Sequence, residues 1–332
     1  MNNKKFFSDD VSEPVQVMVV NGDALQEPRI ECCFNLEQLD AVLKHQVSQE
    51  KTFTFISICQ KNSWRPLQIT ESMFNAIVSH YELNDCAHEL VSCFYGRKED
   101  IEETYCETLS HLRSDASSDI SYTFRYPEFK AQNNRWSLRQ SGVYHRVQHD
   151  TGHHVIILLS PSPKSAASQR ISDKLSDVSL SKLGKDGLWV HSLLFSTYIP
   201  SWRQYIYHLQ EQLLPATNSA LAADIDRKMH VTYEDLNALY RLINTLVKLP
   251  AMIVQSSDVL QGLLKQNPQG DSSQTSVQQI ANLERRTVGY SRMASCLHQQ
   301  AQASAQLLSD TLSLRDQTID RIWNELFRLQ FR

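Results

Sequence analysis

The chain has 332 residues, enough for one large domain or two ordinary ones. Its composition is 41% hydrophobic and 21% charged, which excludes a largely disordered chain. Because the net charge is −4 and no basic stretch dominates, the sequence also argues against a nucleic-acid partner.

Seven cysteines at irregular spacings match neither a disulfide framework nor a zinc signature, and they predict reduced thiols in a cytoplasmic protein. The N-terminal segment MNNKKFFSDD turns acidic where a signal peptide needs an apolar core. No segment approaches the roughly 20 apolar residues of a membrane span. We therefore expect a soluble chain.

Short strands and helices alternate in the first half. The predicted strands are VQVMVV (15–20), RIECCF (29–34), TFTFISIC (52–59), ISYTFRY (120–126), RWSLRQSGVYHRV (135–147) and HVIILLS (154–160). The predicted helices cover 36–47, 70–81 and 85–94, the first with Asn35 as its cap and Gln38 as the reciprocal partner. This interleaving predicts an N-terminal α/β or α+β domain, residues 1–160, in which helices cover a mixed sheet.

Residues 161–187 are rich in Ser, Lys and Pro and have little to bury, so they are predicted to form a loop. Residues 188–332 are then predicted to form a helical domain. Ser201 and Thr232 are placed as helix caps, with Asp235 in the first turn after Thr232. Pro250 is expected to kink or break the second of these helices near its end, and residues 265–276 to form a loop.

The last predicted helix runs over about residues 277–329, with apolar positions at steps of three and four. About 50 residues at 1.5 Å each span roughly 75 Å. A helix of that length is typical of a coiled coil, a stalk or a membrane-directed element. Its middle, HQQAQASAQ (298–306), is small and polar and would permit close helix packing.

The C-terminal segment of this helix has a wide apolar face bordered by arginines. The apolar residues are Ile319, Ile322, Trp323, Leu326, Phe327, Leu329 and Phe331, and the arginines are Arg321, Arg328 and Arg332. Three interpretations stay open at this stage. Residues 319–331 could contact a membrane surface, pair with a helix in an oligomer or another partner, or fold back on helices of the same chain.

The segment HDTGHH offers a candidate metal cluster, formed by His149, Asp150, His153 and His154. Imidazole and carboxylate groups are plausible ligands for zinc or nickel, whereas magnesium prefers oxygen ligands. The alternative is a polar turn between two strands, with Thr151 and Gly152 at its tip. The spacing matches no standard zinc pattern, which favours the turn.

Enzyme signatures are missing from the sequence, which has neither a Gly-rich phosphate loop nor a Gly-x-Ser-x-Gly elbow, and we predict that the protein is not an enzyme. Arg139 lies in a predicted strand between Trp136 and Tyr144. Such an arginine could form a buried ion pair, stack on an aromatic ring or contact a substrate, and a structural role is favoured.

Three motifs resemble those of the CorA-like, magnesium-transporter-type family, and most closely its divergent members in filamentous fungi. They are RWSLRQSGVYH (135–145) with the following VIILLSPSP, SWRQYIYHLQEQL (201–213) and QLLSDTLSLRDQ (306–317). The motif residues are Trp136, Arg139, Gln140, Tyr144, Trp202, Arg203, Leu312, Arg315, Asp316 and Gln317. The resemblance covers about residues 30–317.

The resemblance implies an α/β/α funnel-like domain followed by a stalk of long antiparallel helices, the last of which enters the membrane in transporting relatives. It also implies a homo-oligomer and a possible Mg²⁺ partner bound by acidic side chains; no other cofactor is predicted. The acidic runs 97–103 and 222–228 are candidates, but a solvated helix face is the favoured interpretation of both. This sequence has no Gly-Met-Asn signature and no membrane span after Gln317. We therefore expect the cytosolic part of a CorA-like ion-transport protein, with a role in ion sensing or assembly rather than conduction, located in the cytoplasm or at the cytosolic face of a membrane. A truncated transporter form and an independent protein both fit. The alternative function is a scaffold protein with this fold.

Overall fold

The computed structural model describes residues 4–20, 28–44, 53–99, 104–177, 187–221, 232–266 and 274–330. These residues divide between two compact units. Unit 1 consists of Met1–Ser201 and Val254–Thr287, and unit 2 of Trp202–Ile253 and Val288–Arg332.

Unit 1 is built on one mixed sheet with the strand order β2-β1-β3-β7-β6-β5-β4. Strands β3 and β7 are parallel, and the other neighbouring pairs are antiparallel. The strands are β1 Val15–Val20, β2 Arg29–Cys33, β3 Phe53–Cys59, β4 Ser110–Arg113, β5 Ser117–Lys130, β6 Arg135–Gln148 and β7 His154–Ser160. Every residue of β3 and β7 is buried, as expected of central strands covered on both faces.

Helices cover both faces of this sheet. On one side lie α1 Leu36–Lys44, α2 Glu71–Tyr81 and α3 Cys86–Ser92, which share an apolar core with the sheet residues Val17, Ile56 and Ile157. On the other side lie α4 Ala166–Asp177 and α5 Leu188–Tyr198. There Phe195 of α5 stacks on Tyr122 of β5, with the ring centroids 5.7 Å apart. We call these the α1–α3 face and the α4–α5 face.

The predicted fold class, helices on a mixed sheet followed by a long helix, is confirmed. Two local predictions are wrong. Residues 166–177 of the predicted loop form α4, because Ala167, Ile171 and Leu175 recur every fourth residue and bury a narrow stripe, each only 1% exposed. The short strand β4 was missed altogether. It is an edge strand of mixed polarity with no apolar run to announce it.

Helix α5 belongs to unit 1, whereas the sequence assigned residues 188–332 to one helical domain. The helix carries apolar residues on all of its faces, which is typical of a helix buried in a domain interior. It starts after Gly187, whose φ of 63° is in the left-handed region that glycine tolerates best.

The remaining helices are α6 Ser201–Leu221, α7 Tyr233–Leu246, α8 Leu249–Lys265 and α9 Gln274–Gln330. The Thr232 cap is confirmed, since Thr232 and Asp235 form a reciprocal capping box at the start of α7. The break at Pro250 is also confirmed. Pro250 is the second residue of α8, where its missing N–H costs no helical hydrogen bond.

Helix α9 has 57 residues and so extends over about 85 Å. It confirms the predicted long C-terminal helix and begins three residues before the expected Val277. Three predicted features lie outside the described residues: Val47, the acidic segment 222–228 and most of the loop 265–276. Residues 100–103 of the other acidic segment also lie outside them.

Candidate functional site

Strand β6 carries the first family motif and pairs with β5 over its whole length, from Arg135 opposite Lys130 to Gln148 opposite Ser117. Successive side chains of a strand point to opposite faces. Tyr144 and Arg146 therefore contribute to the α1–α3 face, and His145 to the α4–α5 face. The motif supplies polar groups to two separate clusters.

The start of the motif forms structural contacts. Arg139 forms an ion pair with Glu128, with Nε and Oε2 2.9 Å apart, and it also donates a hydrogen bond to Ser63. Trp136 packs against Phe129 at a centroid distance of 5.3 Å. These contacts agree with the ion-pair interpretation of Arg139. Gln140 is buried, and its amide nitrogen has no hydrogen-bond partner among the described residues.

A charged cluster is buried on the α1–α3 face around Asp119, which is 1% exposed. Tyr144 donates its hydroxyl to Oδ1 of Asp119 at 2.6 Å, and the Asn84 amide donates to Oδ2 at 2.6 Å. Arg146 forms the ion pair, with its Nη1 3.2 Å from Oδ1 of Asp119. Burial, followed by the hydrogen bond to Asp119, raises the pKa of Tyr144 well above its usual value. This cluster joins β5, β6 and the start of α3.

The predicted metal cluster does not converge on one point. His149 shares a hydrogen bond with the carbonyl oxygen of Asp115, and Asp150 accepts one from the backbone of Thr151. His153 contacts Thr54 at 3.1 Å, whereas His154 contacts another histidine. The segment forms the turn between β6 and β7, so the structure agrees with the turn interpretation.

The described residues were also compared with the ligand requirements of magnesium. Among the described residues, no group of three or more His, Cys, Asp or Glu side chains is arranged to hold a metal ion. Magnesium would require several converging oxygen ligands. The predicted Mg²⁺ partner therefore finds no support in the described ranges.

A buried chain of aromatic polar side chains crosses the α4–α5 face. Nδ1 of His154 lies 3.0 Å from Nε2 of His145, and Nδ1 of His145 lies 3.0 Å from Nε2 of His191. Nδ1 of His191 lies 2.7 Å from the hydroxyl of Tyr122. We call these four residues the histidine chain. It links β7, β6, α5 and β5.

Burial holds His145, His191 and Tyr122 in their uncharged forms. His145, His191 and Tyr122 are each at most 1% exposed, and His154 is 7% exposed. Desolvation lowers the pKa of His191 to about 3 and that of His145 well below its usual value, with the neighbouring histidines adding to both shifts. Desolvation also raises the pKa of Tyr122 well above its usual value.

Sequence reasoning named His154 as a metal ligand and overlooked His191 and Tyr122. A usable signal was present. His191 is the only ionisable side chain in the apolar run 188–197, and an imidazole in such a run needs a polar partner. The antiparallel register that pairs Val147 with His154 also places His145 and His154 diagonally on one face.

The other two motifs lie in unit 2. Trp202 is fully buried, and Arg203 is exposed. Leu312 is 1% exposed, whereas Gln317 is exposed. Arg315 and Asp316 form an ion pair on α9, and the hydroxyl of Tyr233 in α7 donates to Oδ2 of Asp316 at 2.6 Å. The hydrogen bond between Tyr233 and Asp316 connects the start of α7 to α9.

Beyond Gln317 the apolar face of α9 is exposed. The exposed fractions are 44% for Ile319, 52% for Ile322, 68% for Trp323, 54% for Leu326, 64% for Phe327 and 72% for Leu329. This exposure argues against the fold-back alternative for these residues, and Phe331 lies outside the described residues. Among the described residues, no helix is both long and apolar enough to span a membrane.

A mixed sheet covered by helices and followed by one very long helix is also the fold of the soluble domain of a CorA protein. Residues 1–221 match the family of CorA-like transporters, and the chain belongs to this family.

The chain is also similar in fold to the complete CorA magnesium transporter from Methanocaldococcus jannaschii, with 14% identity and a TM-score of 0.53. This match covers 95% of the chain and 82% of the transporter. The soluble domain of that CorA matches with 12% identity and a TM-score of 0.52, covering 89% of the chain and 97% of the domain. No curated protein matches the chain in sequence.

Proposed function

We propose that this chain is an assembly module of the CorA-like family that associates with further copies of itself through residues 319–329 of α9. The observation that carries the proposal is the exposed apolar face at the end of this helix. Soluble proteins rarely leave a contiguous apolar surface of this kind without a partner.

The spacing of the exposed residues supports pairing with another helix. Ile319, Ile322, Leu326 and Leu329 follow steps of three, four and three, which is the a and d pattern of a coiled coil. The pattern continues from the buried Leu308 and Leu312 of the same helix. A second copy of the chain can supply a matching seam, because a symmetric pairing brings equal surfaces together.

The charges of this segment support a protein partner over a membrane surface. Residues 319–330 contain Asp320 and Glu325 beside Arg321 and Arg328, so their net charge is zero. Helices that lie on anionic membranes are typically rich in Lys and Arg on the polar face. Electrostatic attraction to such a membrane would therefore contribute little.

We also infer a cytoplasmic location for the module. All seven cysteines are free thiols. Burial is the main cause that raises the pKa of Cys33 to about 11, of Cys59 to about 12 and of Cys106 to about 11, so these thiols stay protonated. Free buried thiols of this kind suit a reducing compartment.

The assembly proposal is tested by measuring the mass of the full chain by sedimentation velocity between 1 and 100 µM. We expect self-association that increases with concentration. Leu326→Asp places a charge in the centre of the seam and should shift the chain to a monomer. Asn324→Asp is the matched control, since it adds the same charge on the opposite side of the helix, and it should leave association unchanged.

A monomeric wild-type chain at every concentration would overturn the proposal. Sedimentation with phosphatidylcholine–phosphatidylserine vesicles then distinguishes the membrane alternative, for which Leu326→Asp should release the chain from the pellet. Ion sensing is tested separately. Millimolar magnesium should raise the unfolding temperature if the folded chain has a binding site, whereas assembly alone requires no such shift.

A further inference from the structure

The histidine chain uses both ring nitrogens of two of its members. His145 contacts His154 through Nε2 and His191 through Nδ1. His191 contacts His145 through Nε2 and Tyr122 through Nδ1. A neutral imidazole carries one N–H and one acceptor nitrogen. Each of the three contacts therefore contains one hydrogen atom, and every N–H or O–H of the histidine chain donates in the same direction along it.

An added proton disrupts this arrangement. A protonated imidazole has two N–H groups and no acceptor. On His145, the second N–H would face an N–H of a neighbouring ring, because both nitrogens are already engaged. On His191, the extra proton fits only if Tyr122 turns its hydroxyl hydrogen to another acceptor. The histidine chain accepts a charge only by breaking a contact or by reversing the hydrogen bond at one of its two ends, the Tyr122 hydroxyl or the His154 ring.

Helix α5 depends on these contacts. His191 is its internal polar anchor to β6, and Gly187 at its start lies directly on the histidines. A β-carbon built on Gly187 would lie 2.5 Å from Cε1 of His145 and 3.0 Å from Nδ1 of His154. Phe53 of β3 completes the enclosure by packing against both His154 and Trp189 of α5.

Among the described residues, the groups that face His145 and His191 offer no compensating negative charge. Tyr122 is the group from β5, and Lys174 of α4 lies over the Trp189 ring at 5.0 Å. Gln279 of α9 is uncharged and bonds Ser192 on α5. Within the described ranges, no carboxylate is among the causes that shift the pKa of His145 or His191. The opposite face of the sheet holds the Asp119–Arg146 ion pair and His153, which contacts Tyr81. These groups are not part of the histidine chain.

We propose that the histidine chain is an acid-sensitive latch that holds α5 on the sheet while His145 and His191 are neutral and releases α5 when either of them takes up a proton. The latch is carried by the continuous contacts from His154 to Tyr122 and by the close approach of Gly187.

The sign of the pH dependence follows from the depressed pKa values. In the opened state a histidine titrates near its ordinary pKa of about 6.5. In the closed state His191 titrates near 3, and His145 also lies well below its ordinary value. The closed state is therefore fully stable above about pH 6.5 and loses stability as the pH falls below that value. The opening equilibrium should rise about tenfold per pH unit for each proton taken up.

Hydrogen exchange of the full wild-type chain, read by mass spectrometry between pH 7 and 4.5 and corrected for intrinsic rates, tests the latch directly. Peptides covering α5 should exchange at least tenfold faster at pH 5 than at pH 7. Peptides covering α2 should keep their protection. Unchanged protection of α5 down to pH 4.5 would overturn the proposal, and so would simultaneous loss of α5 and α2, which indicates global acid unfolding.

Variants then assign the effect to the chain. His191→Gln keeps a donor and an acceptor but does not titrate, and it should move the α5 transition to lower pH. His145→Gln serves the same purpose should the first variant not fold. His149→Gln in the exposed β6–β7 turn is the matched control and should leave the transition unchanged. An unchanged transition in a folded His191→Gln or His145→Gln chain contradicts the latch.

Discussion

The two faces of the sheet solve the same problem in different ways. The α1–α3 face buries a charged cluster, in which Asp119 is paired with Arg146 and receives further hydrogen bonds from Tyr144 and Asn84. The α4–α5 face buries the histidine chain, in which His145, His191 and Tyr122 carry no charge at neutral pH. Three consecutive residues of β6, Tyr144 to Arg146, supply both clusters, because alternate side chains point to opposite faces.

The free-energy cost of burial is offset in different ways for a carboxylate and for an imidazole. A buried carboxylate remains ionised only when a cation and hydrogen bonds replace its water, so removal of one partner strands the other. A buried imidazole avoids the cost by staying neutral, and a chain of imidazoles can change tautomer to suit its neighbours. We expect the charged face to respond most strongly to substitution and the histidine face to respond to pH.

The largest effect is expected from Asp119→Asn on the charged face. The substitution keeps the size of the side chain but leaves Arg146 buried without its carboxylate, which should cost about 3–5 kcal/mol. Urea unfolding at pH 7 measures the change in the free energy of unfolding. A cost below about 1 kcal/mol, in the range of exposed pairs, would mean that Arg146 reaches solvent.

A second substitution shows that the penalty arises from the stranded charge. Asp119→Asn combined with Arg146→Met removes both charges, and it should recover more than half of the stability lost in the single variant. Nε of Arg146 already has no hydrogen-bond partner among the described residues, so Arg146→Met also removes one unsatisfied buried donor. A double variant no more stable than Asp119→Asn would contradict this account.

An intermediate effect is expected at the glycines that allow helices to approach each face. Gly187→Ala combines a left-handed backbone with a β-carbon 2.5 Å from His145, and it should cost about 2–4 kcal/mol. Gly142→Ala on the α1–α3 face places a β-carbon 2.8 Å from the ring of Phe94 without backbone strain, and it should cost about 1–3 kcal/mol. Thermal unfolding of both variants should show Gly187→Ala as the less stable one.

The sheet was predictable because its information is local. Six of the seven strands carry runs of apolar or β-branched residues, and the sequence pattern locates all six. Five of them have bounds close to the prediction, whereas β5 extends from Ser117 to Lys130, well beyond the predicted 120–126. Helix α4 was not predictable in this way, since only its three-residue stripe is apolar and serines occupy much of the rest. The exposed face at the end of α9 was predicted from spacing alone, but spacing does not identify the partner.

The two polar clusters could not be predicted because they are assembled from distant parts of the sequence. Asp119 meets Asn84 across 35 residues, and Tyr122 meets His191 across 69. The sequence placed His154 with its neighbours in the turn, whereas the structure bonds it to His145 on the adjacent strand. Strand register and helix placement decide such contacts, and neither is written in a local pattern.

The smallest effect is expected from removing the hydroxyl of Tyr122 on the histidine face. The matching change on the charged face, Tyr144→Phe, gives the sharpest contrast between the two faces. Tyr144→Phe deprives the Asp119 carboxylate of a donor and the Asn84 N–H of its acceptor, which should cost about 2–3 kcal/mol. Tyr122→Phe should cost only about 1 kcal/mol, because His191 can place its acceptor nitrogen toward the missing hydroxyl and keep its N–H on His145. Urea unfolding at pH 7 gives both values. If Tyr122→Phe proved the more costly change, the histidine chain would be as rigid as the charged cluster, and tautomer exchange could not be what lets it tolerate burial.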